Sequence, residues 1–378
     1  MTAGSADGGR SRQLRSSGLR PGWTTGACAA GAARAAYRGL LTGDFPDPVT
    51  VLLPGDRAPA FALTDARLDG EAAVAAITKD AGDDPDVTHG AVIRVRVRRA
   101  PAGSGVSFAA GPGVGTVTLP GLPVAVGEPA INPRPRAMIV ANLRAATTTE
   151  DPLDLVVEVG IDRGQELARH TLNPRLGIVG GLSVLGTTGV VVPYSCSAWI
   201  DSIRRGIDVA LAAGQQHLAA CTGSTSEAVA GDRFGLPELA LIDMGDFAGA
   251  VLKYLRSPAG DRCRRLTLCG GVAKLSKLAA GHLDLHSGRS SVDPDYLARL
   301  ATQAGASGST ASLIQGAATV LEALELAAAD QVDLGQAIAE ASADYAQTVL
   351  ARPEILLHVV CIDRAGAVVG ESGPSLPH

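Results

Sequence analysis

The sequence has few aromatic residues and no excess of positive charge. Phe, Trp and Tyr together make up 3% of its 378 residues, and the formal net charge at pH 7 is -5. Proteins that bind nucleic acid need a basic field along the phosphate backbone, often with aromatic residues among the basic ones. No such run occurs here, so we expect no nucleic acid partner.

The sequence also lacks paired cysteines, a secretory signal and a continuous apolar run that could span a membrane. Six scattered cysteines with no CxxC pair predict reduced thiols in a cytoplasmic protein: Cys28, Cys196, Cys221, Cys263, Cys269 and Cys361. Residues 176–200 carry no charge, but five glycines and Pro193 interrupt them. A spanning helix needs continuous apolar side chains against lipid, so we expect no membrane contact.

What the sequence does have is an apolar fraction of 46% in a chain longer than one hydrophobic core usually supports. We therefore expect both α+β and α/β structure in two domains. Residues 1–17 predict a disordered tail, because their Gly, Ser and Arg leave little to bury. Residues 18–195 predict an α+β domain, with an alternating strand at 91–98. Residues 196–378 predict a mainly parallel, doubly wound α/β domain of Rossmann-like type.

The second domain is predicted from three consecutive units of strand, glycine turn and helix. Strands are expected at 217–221, 239–242 and 266–269, and a C-terminal strand at 355–362 is expected to join an edge of the sheet. Ligands of parallel sheets bind outside the carboxyl ends of the strands. The turns at Gly223, Gly245 and Gly270 therefore favour a site for a nucleoside-like ligand.

The segment KDAGDDPDVTHG, residues 79–90, places four carboxylates, a lysine and a histidine around Gly82 and Pro85. One interpretation is a solvated acidic turn. The other is functional, since such carboxylates can bind cations, hold hydrogen-bond donors or take a proton when one pKa is raised. The residue types alone leave both interpretations open.

A second unusual segment is GGLSVLGTTG, residues 180–189. Glycines let the backbone approach a ligand closely, and the amides of such a loop can hold carboxylates or phosphates. A tight buried turn explains the same composition equally well.

Six blocks in order resemble the motif series of the cobalt-precorrin-5B C1-methyltransferase family, CbiD. They are TTGACAAGAARAA at 24–36, KDAGDDPDVTHG at 79–90, GVGTVTLPGL at 113–122, GEPAINPRPRAMI at 127–139, TLNPRLGIVGGLSVLGTTG at 171–189 and KLSKLAAG at 274–281. The family commonly has a histidine after the glycine that ends the strand at 266–269. Here Gly270 is followed by Gly271, so that histidine has no counterpart.

The resemblance implies methyl transfer from S-adenosylmethionine to C1 of cobalt-precorrin-5B, giving cobalt-precorrin-6A in anaerobic cobalamin biosynthesis. The cobalt belongs to the substrate, and no metal bound by the protein is expected. The candidates for taking a proton are Asp80, Asp84 and His89. The candidate substrate contacts are Thr24, Thr25, Lys79, Asp83, Asp86, Arg134, Arg136 and Arg175. The candidate contacts of S-adenosylmethionine are Gly180, Gly181, Gly186, Thr187, Thr188, Gly223, Ser224, Gly245, Asp246, Gly270 and Gly271.

The partner implied by this resemblance is a small-molecule corrinoid. A homo-oligomer and transient contact with neighbouring pathway enzymes are compatible with it. The alternative function is a non-catalytic carrier that holds a reactive corrinoid between enzymes. Binding of S-adenosylmethionine distinguishes the two, because a carrier needs no methyl donor.

Overall fold

The computed structural model describes residues 18–148 and 152–373. These residues divide into two compact units on either side of the bond between Ser195 and Cys196. Helices and strands are mixed, and both parallel and antiparallel strand pairs occur. The tail predicted at residues 1–17 lies outside the described residues.

The elements of the first unit are short strands around one five-stranded sheet, with one long helix. The strands are β1 (Gly22–Trp23), β2 (Val49–Thr50), β3 (Ala60–Phe61), β4 (Asp65–Asp69), β5 (Ala72–Thr78), β6 (Val92–Arg99), β7 (Val106–Ala110), β8 (Thr116–Val117), β9 (Leu155–Ile161), β10 (Ile178–Val179) and β11 (Val190–Val191). The helices are α1 (Thr25–Thr42), α2 (Pro133–Arg144) and α3 (Gly164–Ala168).

The larger sheet of this unit has the strand order β4-β5-β6-β9-β7, antiparallel except for the parallel pair β7 and β9. Strand β6 alternates as its sequence predicts: Ile93, Val95 and Val97 are fully buried, whereas Arg94 and Arg96 are only partly buried. An antiparallel sheet with one face against a helix requires that alternation.

Helix α1 covers β5 and β6. The Thr24 side chain accepts a hydrogen bond from the Ala27 N–H and so caps the first turn. The helix approaches the sheet so closely that a Cβ at Gly31 would lie 2.8 Å from side-chain atoms of Ile77 and Val51. The small residues of this helix therefore serve close packing.

The second unit alternates between helices and strands as far as residue 271, and five consecutive helices then precede its last two strands. The strands are β12 (His217–Cys221), β13 (Leu241–Asp243), β14 (Arg265–Gly271), β15 (Leu356–Ile362) and β16 (Val368–Ser372). The helices are α4 (Cys196–Ala212), α5 (Ser224–Phe234), α6 (Ala248–Arg256), α7 (Val272–Ala279), α8 (Pro294–Gln303), α9 (Gly308–Gln315), α10 (Val320–Ala329) and α11 (Leu334–Leu350).

The sheet of this unit has the order β13-β12-β14-β15-β16, in which the first four strands are parallel and β16 is antiparallel. The prediction that the 355–362 strand joins an edge is wrong, because β16 folds back beside β15 and takes the edge. Strand β12 lies between β13 and β14, so the chain leaves it on one side and returns on the other. The carboxyl end of β12 is therefore the switch point at which ligands of open α/β sheets bind.

Helices cover both faces of this sheet. Ala219 and Cys221 of β12 pack with Ala230 of α5, whereas Leu218 and Ala220 belong to the larger core on the other face. Across the residues that the structure describes, no helix is both long and apolar enough to cross a membrane.

Candidate functional site

Residues 79–90 connect β5 to β6 and are held closed by backbone hydrogen bonds. The Lys79 N–H donates to the Ala91 carbonyl, and the Gly90 N–H donates to the Lys79 carbonyl, both at 2.8 Å. Residues 81–82 press against residues 20–22 so closely that a Cβ at Gly82 would overlap the Arg20 carbonyl. The segment is therefore a packed loop with a defined shape.

Lys79 lies inside this loop, with 1% of its side chain exposed. Its ammonium group contacts the Asp86 carboxylate and donates to the Thr88 hydroxyl. Burial pushes the pKa of Asp86 up, but the charge of Lys79 and the hydrogen bonds from Lys79 and Thr88 outweigh it and lower the pKa. This ion pair holds the loop together from within, so little of Lys79 is left to meet a substrate.

Asp80 and Asp83 are both bound by Arg20, which the sequence analysis did not identify. The Arg20 guanidinium holds both oxygens of Asp80, at 2.5 and 2.9 Å, and its backbone N–H donates to Asp83 at 2.6 Å. The hydrogen bonds from Arg20, together with one from the Gly82 N–H, lower the pKa of Asp80 to about 2. Asp80 is therefore ionised and a weak base at neutral pH.

Asp84 and His89 have backbone partners. The Tyr194 N–H donates to Oδ1 of Asp84 at 2.9 Å, and the Ala81 N–H donates to Nδ1 of His89 at 3.1 Å. In neutral His89 the proton is thereby assigned to Nε2, which makes that atom a donor. Asp80 lies 3.9 Å from Nδ1 of His89. Each carboxylate of the segment thus has its own donor, and no pair of them shares a proton.

Thr24, Thr25 and the loop at 180–189 meet at the first turn of α1. The Gly26 N–H donates to the Leu185 carbonyl at 3.0 Å, and the Thr24 N–H donates to the Gly189 carbonyl at 3.0 Å. A Cβ at Gly186 would overlap the Thr24 side chain. Close packing alone therefore explains Gly186.

The other candidate residues of this loop differ among themselves. A Cβ at Gly181 would overlap the backbone of Gly113, whereas one at Gly180 meets nothing within 4 Å. Thr187 is exposed, and the Thr188 hydroxyl donates to the Val190 carbonyl at 3.2 Å. Among the candidate residues of this loop, Gly180 and Thr187 are thus the ones that are open to a ligand.

The three predicted arginines differ in exposure. Arg136 donates to the Ile131 carbonyl at 2.8 Å and to Glu128 at 3.2 Å, so it holds the residues before α2. Arg134, at the start of the same helix, is exposed, and Arg175 is half-buried. Arg134 is the most accessible guanidinium of the three.

The predicted glycine turns of the second unit gather at one edge of its sheet. The Thr222 N–H donates to the Cys269 carbonyl at 3.1 Å, and the Met244 N–H donates to the Cys221 carbonyl at 2.9 Å. The residues that follow β12, β13 and β14 are therefore neighbours, including the exposed Ser224 at the start of α5. This is the carboxyl edge of the sheet, as predicted.

The glycines at this edge have different surroundings. A Cβ at Gly270 would lie 2.6 Å from the Thr222 side chain, so packing explains Gly270 without a ligand. A Cβ at Gly271 or Gly223 meets nothing within 4 Å. Open space beside the backbone at the switch point is what close approach of a ligand requires.

A lysine missed by the sequence analysis lies at the same edge. The Lys274 ammonium donates to the Thr222 carbonyl at 3.2 Å and lies 3.1 Å from Oδ1 of Asp246. It joins the turns after β12 and β13 to helix α7. The spacing from the Gly270 turn could have indicated it, because a residue in the first turn of a helix points back toward the preceding strand end.

Comparison with known proteins gives matches along nearly the whole chain. The family model described as CbiD matches residues 12–193, and the model described as CbiD, C-terminal domain, matches residues 284–373. A Paramagnetospirillum magneticum protein named cobalt-precorrin-5B C(1)-methyltransferase is 54% identical over 355 residues, which covers 94% of this chain and 98% of that protein. A protein of the same name from Rhodospirillum rubrum is 53% identical over 368 residues, covering 97% and 99%. A crystal structure of the Archaeoglobus fulgidus cobalamin biosynthesis protein cbiD is 25% identical, with a TM-score of 0.38, and covers 72% of this chain and 83% of that one.

Proposed function

The chain belongs to the CbiD family, and from this we propose that it methylates C1 of cobalt-precorrin-5B with S-adenosylmethionine, giving cobalt-precorrin-6A. The observation that carries the proposal is 54% identity to a protein of that name over 98% of its length. The similar region spans both units, so the similarity is to nearly the full length of that enzyme and not to one domain of it. The cobalt enters as part of the substrate.

We further propose that the two domains, residues 18–195 and 196–378, bind different substrates. The first supplies acceptor contacts through its α+β structure, and the second is a doubly wound α/β domain that binds the methyl donor. The carboxyl edge around β12 supports this division, because it offers open backbone at Gly223 and Gly271. Ser224, Gly245, Asp246 and Lys274 complete the proposed donor site.

The acceptor site is proposed to centre on residues 79–90. A precorrin carries carboxylates around its rim, and guanidinium groups with backbone amides complement them. Arg134 and Arg175 are the proposed clamps, with Thr24 and Thr25 near the first turn of α1. Lys79, Asp83, Asp86 and Arg136 contribute mainly by holding their loops in place, since their side chains are engaged within the protein.

The three groups predicted to take a proton differ in protonation and in hydrogen bonding. Asp80 stays ionised, because its pKa is about 2. His89 presents Nε2–H as a donor, because Nδ1 accepts from Ala81. Asp84, which accepts a single backbone bond at Oδ1, is the proposed base.

The chemistry is an in-line displacement at a methyl carbon. S-adenosylmethionine supplies a methyl group on a positively charged sulfur. The carbon–sulfur bond breaks with its electron pair left on sulfur, and the corrin ring supplies the pair that forms the new bond at C1. The ring gains one positive charge, which loss of a proton to Asp84 offsets. The protein otherwise aligns donor and acceptor and excludes water.

The direct test is anaerobic incubation of the protein with cobalt-precorrin-5B and methyl-labelled S-adenosylmethionine, followed by mass measurement of the corrinoid. We expect one labelled methyl group per product molecule. A corrinoid that binds but keeps its mass, with no uptake of the donor by the protein, would show a carrier instead.

A further inference from the structure

Trp199 lies on the carboxyl edge of the second unit's sheet and has no part in the functions described so far. It belongs to the first turn of α4, and 47% of it is exposed. A Cβ at Gly245 would lie 3.3 Å from Cζ2 and 3.4 Å from Nε1 of its indole ring. The ring therefore rests on the turn after β13, where a glycine leaves room for it.

Asp243 lies at the end of β13, two residues before the Gly245 on which this ring rests. It is half-buried, and its register partner is Cys221, the last residue of β12. Its Oδ1 accepts from the Gly245 N–H at 3.3 Å, which holds the carboxylate against the turn on which the Trp199 ring rests. In dinucleotide-binding folds with a G-x-G-x-x-G turn, an acidic residue about 20 positions further on binds a ribose hydroxyl. Asp243 has that spacing from Gly223, although the turn here is Thr222-Gly223-Ser224 and has no such glycine series.

The two side chains combine the two chemistries that an adenosine needs. An aromatic face at a strand edge can stack with a purine, and a carboxylate can accept hydrogen bonds from both ribose hydroxyls. The open backbone at Gly223 and Gly271 lies one and two strands away from them on the same edge. A single extended nucleoside could therefore contact all of these features.

We propose that Trp199 and Asp243 form the adenosine subsite for the methyl donor, with the adenine against the indole ring and the ribose hydroxyls on the carboxylate. This assignment rests on the proposed function, because it takes the ligand to be S-adenosylmethionine. It specifies which half of the ligand these two residues bind and names them as the residues that select it.

The first experiment is a titration of the full chain with S-adenosylhomocysteine, followed by tryptophan fluorescence and by calorimetry. Trp199 is one of two tryptophans, and the other, Trp23, packs against Phe61 in the first unit. We expect a fluorescence change in the wild type and in Trp23→Phe, and none in Trp199→Phe. Trp199→Ala should weaken binding by about 10-fold or more, because base–aromatic stacking is lost.

The second experiment uses S-adenosylhomocysteine and its 2′-deoxyribose analogue. The wild type should prefer the ribose form by about 10-fold or more, and Asp243→Asn should lose most of that preference. Asp201→Asn, which removes an exposed carboxylate of α4, should keep it. Thermal unfolding of each variant separates loss of binding from loss of fold.

The outcomes separate the two proposals. If S-adenosylhomocysteine still binds, Asp243→Asn keeps the ribose preference and Trp199→Phe keeps the fluorescence change, the proposed subsite is wrong. The proposal that the protein binds the methyl donor would then still stand. No binding of S-adenosylhomocysteine to the folded wild type would overturn the proposed function and the subsite with it.

Discussion

At the scale of single residues, the carboxylates of segment 79–90 are stabilised one by one. Asp80 and Asp83 bind Arg20, Asp84 binds the backbone of Tyr194, and Asp86 binds Lys79. Separate donors relieve the repulsion that four close negative charges would otherwise cause. They also exclude an arrangement in which two acids share a proton, as happens when paired carboxylates lack such donors.

Replacing Asp84 by Asn should lower turnover by on the order of 100-fold or more, which is the usual effect of losing a general base. The amide keeps the shape and can still accept the Tyr194 hydrogen bond, so thermal stability should change little. The measurement is the single-turnover rate of methyl transfer. Asp83→Asn serves as the matched control, and equal rates in the two variants would remove Asp84 from the chemistry.

The pair of Arg20 and Asp80 should shape the acid side of the stability curve. The pKa of Asp80 is about 2 in the folded chain, against 3.8 for an unperturbed group. A lowered folded-state pKa gives stability that is complete above about pH 4 and is lost as pH falls toward about 2. Urea unfolding at several pH values should show a flatter acid limb in Asp80→Asn and in Arg20→Met. A limb as steep as that of the wild type would contradict the assignment.

At the scale of elements, two neighbouring strands show what a sequence pattern can and cannot predict. The alternation of β6 predicts a half-buried strand, and the structure confirms it. No strand was predicted at Ala72–Thr78, because a run rich in alanine has no alternation. It forms β5 nonetheless, since β4 and β6 pair with it on both sides and α1 covers it.

Tertiary contacts also decide which glycines have open space beside them. The sequence correctly places the turns after β12, β13 and β14 on one edge, but it cannot distinguish Gly270 from Gly271. The distinction depends on Thr222, which lies 48 positions before Gly270 in the chain and beside it in the fold.

Alanine at these two positions makes a matched pair. Gly270→Ala should destabilise the protein by about 1–3 kcal/mol, because its Cβ would be pressed against the Thr222 side chain. Gly271→Ala has room for its Cβ and should fold normally, with weaker binding of S-adenosylhomocysteine. Urea unfolding and calorimetry measure the two effects. If a folded Gly271→Ala variant binds S-adenosylhomocysteine with wild-type affinity, the ligand must approach the backbone closely elsewhere, at Gly223 or at the loop at 180–189.

At the scale of the whole molecule, the order of six sequence blocks predicts the family, and matches to both units confirm it. The individual site residues were harder to predict, because the contacts that define their roles are distant in sequence. Arg20 and Asp80 are separated by 60 positions, and Tyr194 and Asp84 by 110. Composition and local periodicity carry no information about such pairs.

The first unit should be more stable as a separate fragment when its last strand is included. Strand β1 pairs with β11, with Gly22 opposite Val191 and Trp23 opposite Val190. A fragment of residues 18–195 should therefore unfold cooperatively, and one of residues 18–188 should be less stable because β1 loses its partner. Thermal unfolding followed by circular dichroism compares the two, and equal midpoints would show that this pairing contributes nothing.

The pairing of β1 with β11 also determines when the first unit can be completed while the protein is being synthesised. Arg20, just before β1, and Tyr194, just after β11, both bind the acidic segment. The segment itself leaves the ribosome more than 100 residues before Tyr194 does. Until then Asp84 lacks its backbone donor and β1 lacks its neighbouring strand. The proposed acceptor site therefore becomes complete only when translation has passed the end of the first unit, and a chain arrested earlier would expose an acidic loop without these partners.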